Sequence, residues 1–187
     1  MTLRFDVPAD VLDRARAGEA AATDRLIELA WPHAFRIAFS IVRDRDRAQD
    51  AAQEACAVAY RHVVRLRESA AFGVWFYRIV MRQATAMERK AVLRRAIDRR
   101  TPATNSPDES IARIDILNSL ARLPRVRRAC VILHFYAQMN SREIAAVLAI
   151  PDGTVRFHLS RARRELARML AEDPPLPARR MVNAHAV

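Results

Sequence analysis

The chain has 187 residues, 51% hydrophobic and 28% charged with only three glycines, and a formal charge of +11. That length suits one domain or two small ones. No apolar run approaches the ~20 residues of a membrane span, which excludes insertion into a bilayer; strand-like alternation is scarce, and no Asn-Gly or Asp-Gly turn sits between such runs, which excludes a predominantly β fold.

The opening MTLRFDVPAD is acidic and lacks an apolar stretch, so no secretory leader is expected and the expected location is cytoplasmic. Alanine, leucine and arginine dominate and favour helix. The basic excess is regional. Residues 1–70 hold 11 basic and 11 acidic side chains, residues 71–100 hold 8 and 2, and residues 101–187 hold 13 and 8. Regional excess fits a polyanionic partner, while a solvated arginine-rich surface is the other reading of charge alone. Cys56 and Cys130 lie far apart, each in an apolar helical context and neither in a CxxC pair; they read as buried thiols of a reducing compartment.

A first helix is expected after Pro8, ending near Gly18. A second runs from about Ala20 to Val42, with Leu26, Ile27, Leu29, Ala30, Ala34, Ile37, Ala38 and Ile41 on its buried side and Pro32 as a potential kink. Asp44 is an N-cap candidate for a third helix that continues to about Leu66. On it, Asp46, Asp50, Gln53, Glu54 and Ala57 form an acidic-polar stripe opposite Ala51, Ala52, Ala55, Val58 and Ala59. After a short polar joint at 67–69, a fourth helix spans about 71–95. Phe72, Trp75, Phe76, Ile79 and Val80 supply its apolar bulk; Arg78, Arg82 and Arg89 share a side, and Lys90, Arg94 and Arg95 extend the charge. Residues 98–110, polar and without periodicity, read as a flexible linker. Four more helices follow, at about 109–122, 125–137, 141–148 and 153–172. The proline-rich tail from Asp173 is expected to lie outside the fold. The fold class is all-α: two small helical domains joined by a linker, the second containing a helix-turn-helix.

That motif is read from the short helix at 141–148, capped by Asn140 or Ser141 with Ile144, Ala145 and Leu148 on one side, the turn AIPDG, and a second helix. In the second helix Val155, Leu159, Ala162, Leu166 and Met169 recur at steps of three and four and form a packed seam. Arg156, Phe157, Ser160, Arg161, Arg163 and Arg164 then face outward. A helix mounted this way can enter a major groove. Its arginines can neutralise phosphate or bind guanine with paired hydrogen bonds, and Phe157 can touch a thymine methyl. An arginine-rich surface helix with no ligand is the plainer alternative.

The segment SREIAAVLAIPDGTVRFHLSRARREL closely resembles the second conserved region of extracytoplasmic-function (ECF) sigma factors, the small promoter-recognition subunits of bacterial RNA polymerase. RAQDAAQEACAVAYRHV (47–63) resembles the family's Asp-x-x-Gln-Glu helix, and FGVWFYRIVMRQATAMERK (72–90) its Trp-Leu-Tyr-Arg-Ile helix. The three motifs stand in the family's order, and the resemblance covers about residues 20–172. It implies a region-2 domain over 1–96, a linker over 97–109, a region-4 domain over 110–172 and a tail over 173–187. It implies that Asp46, Asp50, Gln53 and Glu54 dock on core RNA polymerase. It assigns Leu66, Arg78, Arg82, Arg89 and Lys90 to the −10 element of promoter DNA, with the 65–72 loop holding a flipped base. It assigns His134, Thr154, Arg156, Phe157, Ser160, Arg161, Arg163 and Arg164 to the −35 element. An anti-sigma factor is a further implied partner. Arg82 stands where the family usually has asparagine, Ala86 where it often has aspartate, and Phe157 and His158 where small polar and arginine residues are common. These departures bear on promoter sequence rather than on class.

A free-standing regulator that binds an operator is the competing function. Cys130 and His134 share a helix at i, i+4, a zinc-compatible spacing, but two ligands do not close a tetrahedral site and the segment ACVILHFY is apolar. No phosphate-cradling loop or nucleophilic triad is legible. Neither a cofactor, a metal nor catalysis is expected.

Overall fold

The computed structural model describes residues 7–97 and 119–172, and the regular elements among them are all helical. The expected linker, most of the helix expected at 109–122 and the tail lie outside the described residues. Helix α1 (Ala9–Arg16) follows Pro8 at its N-cap position. The chain turns at Gly18, whose φ of +89° belongs to the left-handed region that glycine enters without steric cost. Across that turn Arg14 donates from Nε to Glu19 Oε2 at 2.7 Å.

Helix α2 (Ala20–Val42) buries Leu26, Ala30, Ala34, Ile37, Ala38 and Ile41, while Ile27 and Leu29, expected on the same side, are half-buried at its edges. Pro32 is accommodated within it with its side chain exposed. Arg43 ends the helix in the left-handed region, its N–H donating to the Phe39 carbonyl at 2.8 Å. Asp44 then caps α3 (Arg45–His62) by accepting from the Arg47 N–H at 3.0 Å. Ala48, Ala51, Ala52, Ala55 and Ala59 on α3 have no exposed surface, and a face of methyl groups lets α2 and α4 approach closely. Helix α3 ends at His62 rather than near Leu66: the chain tightens into a 3₁₀ turn at Val63–Arg65, which buries Val63, and leaves it extended at Leu66. A second 3₁₀ turn at Ser69–Ala71 leads into α4 (Phe72–Ile97). Phe72, Phe76, Tyr77, Val80, Met81 and Ala84 form the buried side of α4, with the Phe72 and Phe76 rings stacked at 5.6 Å. Full burial of Phe76 alone contributes about 2 kcal/mol.

The second region opens with a helical turn at 119–122 and the buried Leu123, then α5 (Arg125–Phe135). Helix α6 (Ser141–Leu148) is capped by Asn140, not Ser141, in a reciprocal box. Asn140 Oδ1 accepts from the Glu143 N–H at 3.0 Å while Glu143 Oε2 accepts from the Asn140 N–H at 2.8 Å. Its fully buried side chains are Ile144 and Val147; Ala145 and Leu148, expected on the packed side, are only half-buried because the face turns toward α4 as well as α7. Helix α6 ends at Ala149, whose φ of +54° is left-handed, and Ile150-Pro151 lead into α7 (Asp152–Glu172).

The two regions pack on each other, which sequence periodicity does not reveal. Ala129, Cys130, Ile132, Leu133, Ile144, Val147 and Val155 join the same buried cluster as the side chains of α1 to α4. Helix α4 lies against α6, and α2 against α5. Arg128, 7% exposed, donates to the Ile41 carbonyl at 2.9 Å at the end of α2 and pairs with Glu88 of α4 at 3.7 Å; Arg125 also meets Glu88, at 3.1 Å. A smaller cluster of Leu123, Val131 and Ala162, flanked by Leu159 and Leu166, joins α5 to α7.

Candidate nucleic-acid interface

Helix α7 is seated by the seam expected from its sequence. Val155 and Ala162 are buried, and Leu159, Leu166 and Met169 are half-buried. An ion pair between Arg127 of α5 and Glu165 fixes its far side. Arg156, Phe157, Ser160, Arg161, Arg163 and Arg164 are all exposed, on the side of α7 away from that seam. Phe157 is 56% exposed, a large apolar surface to leave in water at the start of a helix. Arg156 pairs with Asp152 at 3.2 Å, an i, i+4 contact on the surface that an incoming phosphate can displace at little cost. Thr154 is half-buried, in the first turn of α7. His158 points inward by contrast: burial and the neighbouring Arg127 hold its pKa down, favouring the neutral ring.

His134 sits at the end of α5. Its Nδ1 is 2.9 Å from the Met139 carbonyl, which fixes the ring against the start of the helix-turn-helix. Phe135, 62% exposed, meets that ring edge-on at 4.8 Å. His134 therefore borders the motif while Cys130, one turn earlier, is fully buried in the core with its thiol pushed up to about 11 by desolvation. No group of three or more His, Cys, Asp or Glu placed to hold a metal occurs among the described residues.

On the first region, Asp46, Asp50, Gln53 and Glu54 are exposed along one side of α3, opposite its alanine face. Glu54 has a loose neighbour in Arg61 at 3.5 Å. The three carboxylates leave this side net negative, with Tyr60, 44% exposed, at its C-terminal end. Arg78, Arg82, Arg89 and Lys90 are exposed on α4, but they are not equivalent. Arg78 donates from Nε and Nη2 to the Ala146 carbonyl of α6, at 3.1 and 2.8 Å, and is occupied by the second region. Trp75 is half-buried, packed on the core as its apolar character predicts.

Leu66 is half-buried at the head of the loop between the two 3₁₀ turns. Sequence reasoning missed what holds that loop. Arg16, the last residue of α1, donates from Nε to the Leu66 carbonyl at 3.0 Å, from Nη1 to Ser69 Oγ at 2.7 Å and from Nη2 to the Arg67 carbonyl. Asp13 accepts from Ser69 Oγ and faces Arg16 at 3.3 Å. A pairing across some fifty residues leaves no trace in local periodicity.

Two family models match the chain: Sigma-70 region 2 over residues 26–94 and Sigma-70 region 4 over residues 113–166. Among curated relatives, RNA polymerase sigma factor SigV of Bacillus subtilis is 28% identical over 141 residues, covering 74% of this chain and 85% of the relative. The ECF RNA polymerase sigma factor SigM of Mycobacterium tuberculosis is 29% identical over 164 residues, covering 87% of this chain and 84% of the relative. Among solved structures, the sigma factor RpoE in complex with the anti-sigma factor NepR from Bartonella quintana superposes with a TM-score of 0.71 at 21% identity, over 80% of this chain and 97% of that one. CnrH in complex with the cytosolic domain of CnrY gives 0.67 at 20% identity, over 87% of this chain and 96% of that one. At those identities the structural likeness is one of fold.

Proposed function

Because the chain belongs to the ECF family of RNA polymerase sigma factors, it binds core polymerase and directs transcription initiation, and we propose that it does so by reading a −35 duplex and an opened −10 strand with separate halves. It is not an enzyme; the polymerase supplies the chemistry. The observation that carries the proposal is the row of exposed arginines on α7, set on a buried seam behind a capped first helix. In this reading residues 110–172 form the −35 half. Arg156, Phe157, Ser160 and Arg161 reach base edges, Arg163 and Arg164 lie on or near phosphates, and His134 and Thr154 border the contact. Residues 1–96 form the other half: the stripe of Asp46, Asp50, Gln53 and Glu54 docks on polymerase, while Leu66, Arg82, Arg89 and Lys90 meet the −10 strand. Arg78 stands with them, exposed but tethered to α6 by the two N–H groups that it donates to the Ala146 carbonyl. An anti-sigma factor is the proposed regulator, in keeping with the fold shared with a sigma factor solved in such a complex.

Run-off transcription with core polymerase tests the proposal. A discrete transcript is expected only when both proteins are present. Arg156→Ala and Arg161→Ala together are expected to abolish −35-dependent output, each base-reading arginine accounting for about 1–3 kcal/mol. Unchanged output from the double variant would remove α7 from the readout. Tight duplex binding by the chain alone, with no polymerase-dependent transcript, would favour the operator-binding regulator instead.

A further inference from the structure

We propose that Arg16 is the positioning residue of the 66–69 loop, setting the backbone shape through which this chain selects a base in the −10 element. The inference rests on the proposed −10 role of that loop.

The loop has little of its own to hold it. Its local backbone bonds are those of the two flanking 3₁₀ turns, Leu66 N–H to the Val63 carbonyl and Ala71 N–H to the Glu68 carbonyl. Between them the Leu66 and Arg67 carbonyls point at one guanidinium. Arg16 meets both, and Ser69 Oγ as well, using Nε, Nη2 and Nη1. A planar guanidinium offers its five N–H donors in a fixed fork, so three acceptors on one segment are fixed relative to each other as well as to α1. Asp13 completes the arrangement from one turn earlier on the same helix. It accepts from Ser69 Oγ, orienting that hydroxyl so that its lone pairs face Arg16, and its carboxylate lies beside the guanidinium. Arg16 itself is three-quarters covered, its side chain 26% exposed. The side chains of Arg67 and Glu68 remain exposed. The backbone is thus gripped from the protein side while the side chains on the other are left to solvent or a nucleic-acid strand. A pocket for an extruded base has to be shaped in advance, because unstacking already costs a few kcal/mol that a mobile loop would add to.

A lysine at position 16 keeps the charge but offers a single nitrogen in place of the fork, so it cannot serve the two carbonyls and the hydroxyl together. The test uses the full-length chain with core polymerase and a promoter recovered by run-off transcription, varied to all four bases at each −10 position. Wild type is expected to favour one base strongly at the captured position. Arg16→Lys is expected to reduce that preference by about tenfold, the size of one lost charge-assisted hydrogen bond, with core-polymerase affinity and −35 duplex dependence unchanged. Ser69→Ala, which removes one of the three acceptors and disturbs the fold least, is expected to lie between the two. Full retention of the preference in both variants overturns the clamp. So does a loss in which polymerase affinity and the urea midpoint fall in step, which would make Arg16 a stability residue only. A wild type with no base preference at any −10 position overturns the loop's assigned role instead, and the clamp's function with it.

Discussion

Individual residues account for several of the molecule's sharpest features. Ala149 ends α6 with φ at +54°, a conformation that costs a residue with a Cβ about 1 kcal/mol and glycine little. Ala149→Gly is expected to stabilise the fold by up to about 1 kcal/mol in urea unfolding without altering promoter choice. The two thiols make a second test. Desolvation raises both Cys56 and Cys130 to about 11. At neutral pH both stay protonated and inert, so alkylation is expected only on unfolding, with native protein treated with iodoacetamide as the measurement. Because the folded values lie above the ordinary thiol value of 9.0, their contribution to stability is full below that value. It is lost as pH rises through about 11. Cys56 was legible as a core residue from its apolar context; Arg16 and Arg128 were not, since an isolated arginine in a charged string reads as solvent-facing until its partners are known.

At the level of elements, start and stop signals were the most legible part of the chain. Gly18 and Asp44 mark helix boundaries through contacts made within a few residues, and Asn140 was one of two cap candidates until its reciprocal bonds with Glu143 decided between them. Asn140→Ala removes the acceptor for the Glu143 N–H and is expected to cost about 1 kcal/mol, measured by urea unfolding. The loss should weaken promoter binding too, because α6 seats the N-terminal turn of α7. The seam of α7 was equally plain from its spacing. The orientation of α6 was less so: Val147 is buried because a second helix, α4, covers that side, and no periodicity within eight residues can announce a neighbour from the other region. The end of α3 was misplaced for a related reason, since the turn at Val63 is set by what Val63 packs against. Salt should report on the α7 face directly: with phosphate contacts from its arginines, affinity of the holoenzyme for promoter duplex is expected to fall steeply from low to physiological salt.

For the whole molecule, the decisive feature is that the two regions share a core. Arg128 ties the start of α5 to the end of α2 and to Glu88 on α4, and burial penalises its charge unless those partners stay in place. Arg128→Ala leaves the Ile41 carbonyl without that donor and Glu88 with Arg125 alone. It is expected to cost about 2 kcal/mol and to enlarge the radius of gyration, measured by small-angle scattering. An unchanged radius would show that the apolar contact between α4 and α6 holds the regions together without it. The same packing bears on function: Arg78, on the proposed −10 surface of α4, is tied to α6 through the Ala146 carbonyl while its remaining N–H groups stay exposed.

The sequence by itself determined the helices, most of their ends, the helix-turn-helix and the class of protein. Those depend on periodicity, capping and motif residues that act within a few positions of each other. Only the tertiary structure decided which arginines are available. Arg156 and Arg161 face solvent as the seam of α7 already implied, but nothing local announced that Arg78 is tethered to α6, that Arg128 is buried, or that Arg16 grips a loop fifty residues away. A guanidinium finds its acceptors through space, and the distance along the chain to those acceptors is set by the fold.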